Sequence, residues 1–171
     1  MILKQIENFF PNLDHILPEI KKIPLYTKEE YIKVTDDRNN NWPGRRSLAF
    51  QIHYPILWHY INNLFLQKNI LTTPHEVSTY LHLKLASDGG KDWIHKDASH
   101  KLAALIYISE TNFDSGTYLY DENKNLINDI KFVKNRLIMY SGNYNHMGYG
   151  HHGTDINNGR LTINLFIKDA T

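Results

Sequence analysis

Apolar and polar positions along the chain follow two different periods. In the first third they recur at helical spacing. "HILPEIKKI", from His15, places apolar residues along one helical face, with Pro18 set to interrupt it or begin a turn. "TKEEYIKV" opens on Thr27 and carries Glu30 three residues later, the signature of a capping box. Residues 36–47, "DDRNNNWPGRRS", read as a loop by composition. "LAFQIHYPILWHYINNLFLQKN" then returns to helical spacing over a long apolar run, again with a proline inside. From His75 the period becomes two: "EVSTYLHLKLAS" alternates as a half-buried strand does. "KLAALIYIS", "GTYLYD", "NDIKFV", "NRLIMYS" and "GRLTINLFIK" follow as short strand-like runs, divided by turn-rich pieces such as "SDGGKD", "DSG", "DENKN" and "SGNYN". About seven or eight strands so closely spaced predict a sandwich, barrel or jelly roll. Helices ahead of them predict a buttress against one face of the sheet. The expected fold is mainly β with N-terminal helices, in one domain over 1–171, with a mostly helical part at 1–74 and a β core at 75–171.

Composition narrows the possible functions. The 171 residues suffice for a core without covalent staples, and 42% hydrophobic and 12% aromatic content is that of an ordinary globular chain. A formal net charge of +1 gives no electrostatic footprint for nucleic acid or an anionic membrane. No apolar stretch reaches the length of a membrane span, and the N-terminus lacks the pattern of a signal peptide. The expectation is a cytoplasmic protein with no nucleic-acid or membrane partner. Cysteine is absent, which removes disulfides, thiolate metal sites and a cysteine nucleophile. A bound metal must therefore use histidine and carboxylate ligands, which suit iron, manganese or zinc.

Candidate chemistry begins in "KDWIHKDASHKLAALIYIS", where His95 and Asp97 stand two apart just before an apolar run. In an extended segment both point to one side, so an imidazole and a carboxylate reach one ion together. Three later histidines compete for a third position in "NYNHMGYGHHG": His146, His151 and His152. Arg160 interrupts an apolar strand, where a guanidinium is costly without a carboxylate partner. None lies nearby in sequence, so a bound small carboxylate is a candidate, and Thr162 would point the same way. A salt bridge at a sheet edge is the plainer reading of Arg160. Arg45 and Arg46 fit either contacts with an acidic substrate or a solvated loop packed over Trp42. Trp93 reads as packing in preference to substrate stacking. Tyr118, Tyr120, Tyr144 and Tyr149 fit either a pocket mouth or ordinary strand positions.

H-x-D, a distal histidine after a strand and R-x-T in the last strand together resemble the iron(II)/2-oxoglutarate-dependent oxygenase superfamily, most of all its small prolyl-hydroxylase-like members. The likeness covers about Tyr80 to Lys168 and rests on "HKD", "LAALIYIS", the Gly-Thr of "DSGTYLYD", "RLIMYSGNYNHMG" and "GRLTINLFI". "WPGRRS" adds a weaker piece. The resemblance implies a double-stranded β-helix (jelly roll) buttressed by helices. It implies iron ligation by His95, Asp97 and His146, with His151 or His152 as the fallback for His146. Arg160 matches the residue that binds the distal carboxylate of 2-oxoglutarate, with Thr162 as helper and the Tyr107 hydroxyl at the same end. A tyrosine that many prolyl hydroxylases carry about nine residues before H-x-D falls on Ala86, which leaves a second cosubstrate anchor open.

The implied reaction uses Fe(II), 2-oxoglutarate and O2, releases succinate and CO2, and hydroxylates a C–H bond. Asp97 argues for hydroxylation over halogenation, since halogenases of this type lack that carboxylate. Nucleic-acid demethylases of the superfamily carry a second arginine where this chain has Phe166. A peptidyl side chain, an amino acid or a small metabolite remain as substrates. Two other functions compete. One is a cupin-like metal isomerase or lyase, which "HKD" fits poorly. The other is a non-catalytic jelly-roll protein that holds a small carboxylate on Arg160.

Overall fold

The computed structural model describes residues 2–38, 42–71, 75–88 and 92–169. Two antiparallel sheets form its centre. The larger has the order β1-β7-β4-β9-β3-β2 and the smaller the order β6-β5-β8. In chain order the elements are β1 (Ile2–Ile6), α1 (Leu13–Lys21), α2 (Lys28–Thr35), β2 (Arg45–Arg46), α3 (Phe50–His53), α4 (Pro55–Gln67) and β3 (His75–Lys84). They are followed by β4 (Leu102–Tyr107), β5 (Asn112–Tyr120), β6 (Leu126–Phe132), β7 (Leu137–Ser141), β8 (Asn145–Tyr149) and β9 (Arg160–Asp169).

The helices form where the pattern places them, with the prolines handled in two ways. α1 runs through Pro18, held at either side of it by buried Leu13 and Ile20. Pro55 instead ends α3 and opens α4 from its first turn, where a missing N–H breaks no helical bond. The capping box of α2 is complete: the Glu30 amide donates to Thr27 Oγ1 (3.3 Å) and the Thr27 amide to Glu30 Oε2 (2.8 Å). The N-terminal part also contains strand. β1 pairs with β7, and Asn135 fixes the following turn by exchanging hydrogen bonds with the Phe10 backbone at 2.9 and 2.8 Å. A five-residue strand is too short for its period to stand out from the helical pattern beside it. Arg45–Arg46 likewise departs from the predicted loop by pairing with Leu83 and His82 of β3. Asn39–Asn41 of that loop and Gly89–Lys91 of the "SDGGKD" turn lie outside the described residues.

Alternation along β3, β4 and β9 divides the molecule into two layers. Leu81, Leu83, Ala104, Ile106, Leu161, Ile163 and Leu165 face Phe9, Phe10, Phe50, Ile61 and Phe65 from the N-terminal part. That is the predicted buttress, and burying apolar area on this face supplies the main stabilisation. Ala103, Tyr107, Ile138 and Tyr140 face Leu119, Ile130 and Phe132 of the smaller sheet. Toward one end the space between the sheets stays open, and the polar faces of β3 and β9 line it.

Candidate active site

A cavity of roughly 740 Å³ opens between the sheets. Its floor is built from the in-register pairs Lys84–Arg160, Tyr80–Asn164 and Ser78–Phe166 of β3 and β9, together with His82. His95, Asp97 and His146 meet at its wall. Their ligand atoms lie within 4.8 Å of one another. Asp97 Oδ1 is 3.9 Å from His95 Nε2, and Oδ2 is 3.4 Å from His146 Nε2.

The H-x-D segment is not a regular strand; an isolated antiparallel bridge between His95 and His146 holds it. His146 comes from β8, which pairs with β5 through the smaller sheet. Asp97 is set by the turn that follows, in which the His100 amide donates to its carbonyl (2.8 Å). Gly142 packs so closely there that a Cβ would stand 2.1 Å from the His100 carbonyl oxygen and 2.7 Å from that of Asp97.

Both imidazoles are oriented for ligation. His95 Nδ1 is 2.9 Å from the Trp93 carbonyl and His146 Nδ1 is 3.1 Å from that of Tyr144. A proton on each Nδ1 leaves each Nε2 lone pair turned toward the shared centre. Burial lowers the pKa of His146 and the neighbouring His95 acts the same way, outweighing the opposite pull of Asp97. Two imidazoles and one carboxylate, with no thiol available, are a donor set that fits iron(II). His151 and His152 lie elsewhere: His151 Nε2 is 2.6 Å from Asp92, and His152 Nδ1 is 2.9 Å from the Gly150 carbonyl.

Arg160 is 3% exposed, and no described carboxylate forms an ion pair with it. Its Nη2 donates to the Gly116 carbonyl (3.0 Å), while Nε is buried without a partner. Burial lowers its pKa, yet an arginine keeps its charge. Thr162 is buried and donates to Asn164 Oδ1 (2.7 Å). The Tyr107 ring lies 5.9 Å from Arg160 Cζ, and its hydroxyl donates to Thr117 (2.9 Å), which lines the cavity.

Sequence reasoning missed Lys84, Asp92 and His82. Lys84 pairs with Arg160 across the floor and forms an ion pair with Asp92. Burial and the adjacent guanidinium push Lys84 down to about 8 despite that partner. Burial works to raise Asp92, but the hydrogen bond with His151 and the Lys84 charge outweigh it and hold the carboxyl low. Gly148, two residues beyond His146, leaves the space over both cations free: a Cβ there would lie 3.4 Å from Arg160 Nη2 and 3.5 Å from Lys84 Nζ. His82, two residues before Lys84 on β3, also lines the cavity and donates from Nε2 to the Pro43 carbonyl (2.6 Å). Its burial, reinforced by Lys84 and Arg46, keeps it neutral.

Arg45 and Arg46 point in different directions. Arg45 forms an ion pair with Asp88 (2.7 Å), whereas Arg46 turns into the cavity. Trp93 is 40% exposed at the cavity lining and does not pack in the core; its ring stands 5.8 Å from that of His95. Tyr118 and Tyr149 stack on each other at 3.9 Å, and Tyr149 donates to Asp129 (2.5 Å).

No protein-family model matches the chain, and no curated protein matches it. Solved structures do. A Pseudomonas putida prolyl-4-hydroxylase aligns over 98% of this chain and 92% of its own, with 13% identity and a TM-score of 0.57. A Trichoplax adhaerens prolyl hydroxylase, solved with a hypoxia-inducible-factor peptide fragment, covers 97% and 83% at 13% identity and a TM-score of 0.59. The epimerase SnoN, solved with Fe3+, alpha-ketoglutarate and nogalamycin RO, covers 98% and 78% at 12% identity and a TM-score of 0.63. The chain has the fold of the 2-oxoglutarate and iron(II) oxygenases, a prolyl-hydroxylase-like jelly roll backed by N-terminal helices.

Proposed function

We propose that the protein is an iron(II)- and 2-oxoglutarate-dependent dioxygenase that hydroxylates a C–H bond of a peptide side chain, amino acid or small metabolite. The observation that carries this reading is the convergence of His95 Nε2, His146 Nε2 and the Asp97 carboxylate in a cavity also lined by Arg160, a buried guanidinium with no carboxylate partner among the described residues. The fold alone does not select a reaction, since hydroxylases and an epimerase share it.

In this reading His95, Asp97 and His146 would hold the iron, and the cosubstrate and dioxygen would bind there as well. The metal and the 2-oxo acid supply dioxygen activation coupled to oxidative decarboxylation. One oxygen atom enters succinate, the other becomes the hydroxyl of the product, and CO2 leaves. Arg160 would bind the distal carboxylate of 2-oxoglutarate. Thr162 and Tyr107 belong to that end, Thr162 by rotating its hydroxyl and Tyr107 by supporting Thr117. Lys84 fills the role left open at Ala86, placing a second cation against the same carboxylate. Trp93 and the outer floor hold the substrate and limit water.

The reading is tested by succinate formation from 2-oxoglutarate with iron(II) and oxygen, including the uncoupled turnover that needs no substrate. Wild-type protein is expected to release succinate and the Asp97→Ala variant none. Equal succinate from both would remove Asp97 from the metal and the proposal with it.

A further inference from the structure

We propose that Arg46 binds a carboxylate of the primary substrate, so that the compound hydroxylated is a carboxylic acid. The inference deepens the oxygenase reading and rests on it.

Arg46 is a second deeply buried guanidinium in the cavity, 9% exposed. Its neighbours are aromatic faces: Cζ lies 4.4 Å from the Tyr80 ring centroid, 5.3 Å from Trp42 and 5.6 Å from Phe166. Such contacts stabilise a cation but accept none of its in-plane hydrogen bonds. Nε is buried with no partner, and no described carboxylate pairs with the group. Asp97 and Asp37 act on it only through space. A guanidinium gripped by ring faces keeps its edge for a planar acceptor, and a carboxylate matches that edge bidentately. Leaving the edge unmet would carry the cost of a buried, unpaired charge.

Charge balance across the cavity leads to the same ligand. Asp92 compensates Lys84, and Asp97 belongs to the metal. The two carboxylates of 2-oxoglutarate answer the metal and Arg160. Arg46 alone among these cations is left without an anion. The ring and hydrogen-bond contacts of the two guanidinium groups differ, although both charges reach His82, so an anion held at Arg160 leaves the edge of Arg46 to a second one. Arg160 lies among Gly116, Gly148, Tyr107 and Phe132, while Arg46 lies among Trp42, Tyr80 and Phe166. A substrate held by its carboxylate at Arg46 lies along the floor, over Asn164 and His82, toward the His-Asp-His centre. The aromatic rings around Arg46 would cover the apolar part next to the carboxylate.

The test uses 15N-labelled protein loaded with zinc(II) in place of iron and saturated with 2-oxoglutarate, so that no turnover occurs. The side-chain Nε resonance of Arg46, assigned by its loss in Arg46→Lys, is followed during titration. The probes are hippurate against hippuramide, and a blocked peptide carrying glutamate against its glutamine counterpart. The acids are expected to move the resonance saturably and the amides to leave it in place. Whichever acid does so identifies a free or a peptide-borne carboxylate. In Arg46→Gln the acid should bind about tenfold more weakly or worse, as a charge-assisted pair is lost, with 2-oxoglutarate affinity unchanged. Three results overturn the proposal: neither acid moves the resonance, the amides move it equally, or Arg46→Gln loses 2-oxoglutarate along with the acid. Failure of the wild-type protein to take up 2-oxoglutarate at all would instead remove the oxygenase reading, and it shows in the first titration, before any acid is added.

Discussion

The backbones of His95 and His146 exchange two hydrogen bonds: the His146 amide donates to the His95 carbonyl at 2.8 Å and the His95 amide to the His146 carbonyl at 3.1 Å. Two candidate ligand residues fifty-one positions apart in sequence are thus locked to each other by the backbone alone. Their ring centroids stand 4.3 Å apart. A preformed pair of this kind would fix the position of a bound metal by backbone geometry, with only small side-chain adjustments.

That arrangement predicts which histidines matter for metal. His146→Ala should lower manganese(II) affinity, measured by electron paramagnetic resonance titration, by about a hundredfold or more, beyond the loss typical of an outer-shell change. His151→Ala, which breaks only the hydrogen bond to Asp92, should stay within about tenfold of wild type. The reverse order would place the distal ligand in the following loop.

Gly148 should matter for the cosubstrate and not for the metal. Gly148→Val places methyl groups over Arg160 Nη2 and Lys84 Nζ, the space a carboxylate would occupy. The expected result is unchanged manganese(II) affinity with 2-oxoglutarate binding weakened by about tenfold or more, the scale of one lost charge-assisted contact. Calorimetry on the metal-loaded variant checks both.

Lys84 gives a signed pH dependence. Its pKa, pushed down to about 8 by burial and Arg160, puts its charge loss just above neutrality. Raising the pH through 8 removes the cation beside Arg160; if 2-oxoglutarate binds there, its affinity should fall between about pH 7.5 and 9.5. Lys84→Met should bind more weakly at neutral pH and show no such fall. Stability moves the opposite way. Between 8 and the ordinary lysine value the unfolded chain holds a proton that the folded protein has released, so the Lys84 contribution rises with pH over that window. Subtracting the unfolding free energies of Lys84→Met from those of wild type isolates it.

The two layers of the fold were legible because the period changes at His75 and because apolar residues repeat on the helix-facing side of β3, β4 and β9. The other side was harder to read. Ser78, Tyr80, His82 and Lys84 alternate with Val77, Leu81 and Leu83, and that pattern says one face is polar without saying what the face meets. Here it meets a cavity, so Lys84 and His82, which look like solvent-facing strand residues, are 6% exposed each. β8 escaped for a related reason. "NHMGY" shows no apolar alternation because its inward positions are occupied by His146 and by a glycine that leaves room over Arg160 and Lys84. Arg46 and Arg45 are adjacent and alike in sequence. Only the pairing of β2 with β3 reveals that one reaches Asp88 and the other the cavity. His95, Asp97, His146 and Arg160 stood out in sequence through their order along the chain, a signal independent of burial.

The central claim is that one iron ion and one 2-oxoglutarate share the His95–Asp97–His146 centre. Anaerobic addition of iron(II) and 2-oxoglutarate together, followed by visible absorption, tests it most directly. A charge-transfer band that saturates at one equivalent of iron, and is absent when either component is omitted and in His95→Ala, is the predicted result. A spectrum without that band, or the same band in His95→Ala, would contradict it.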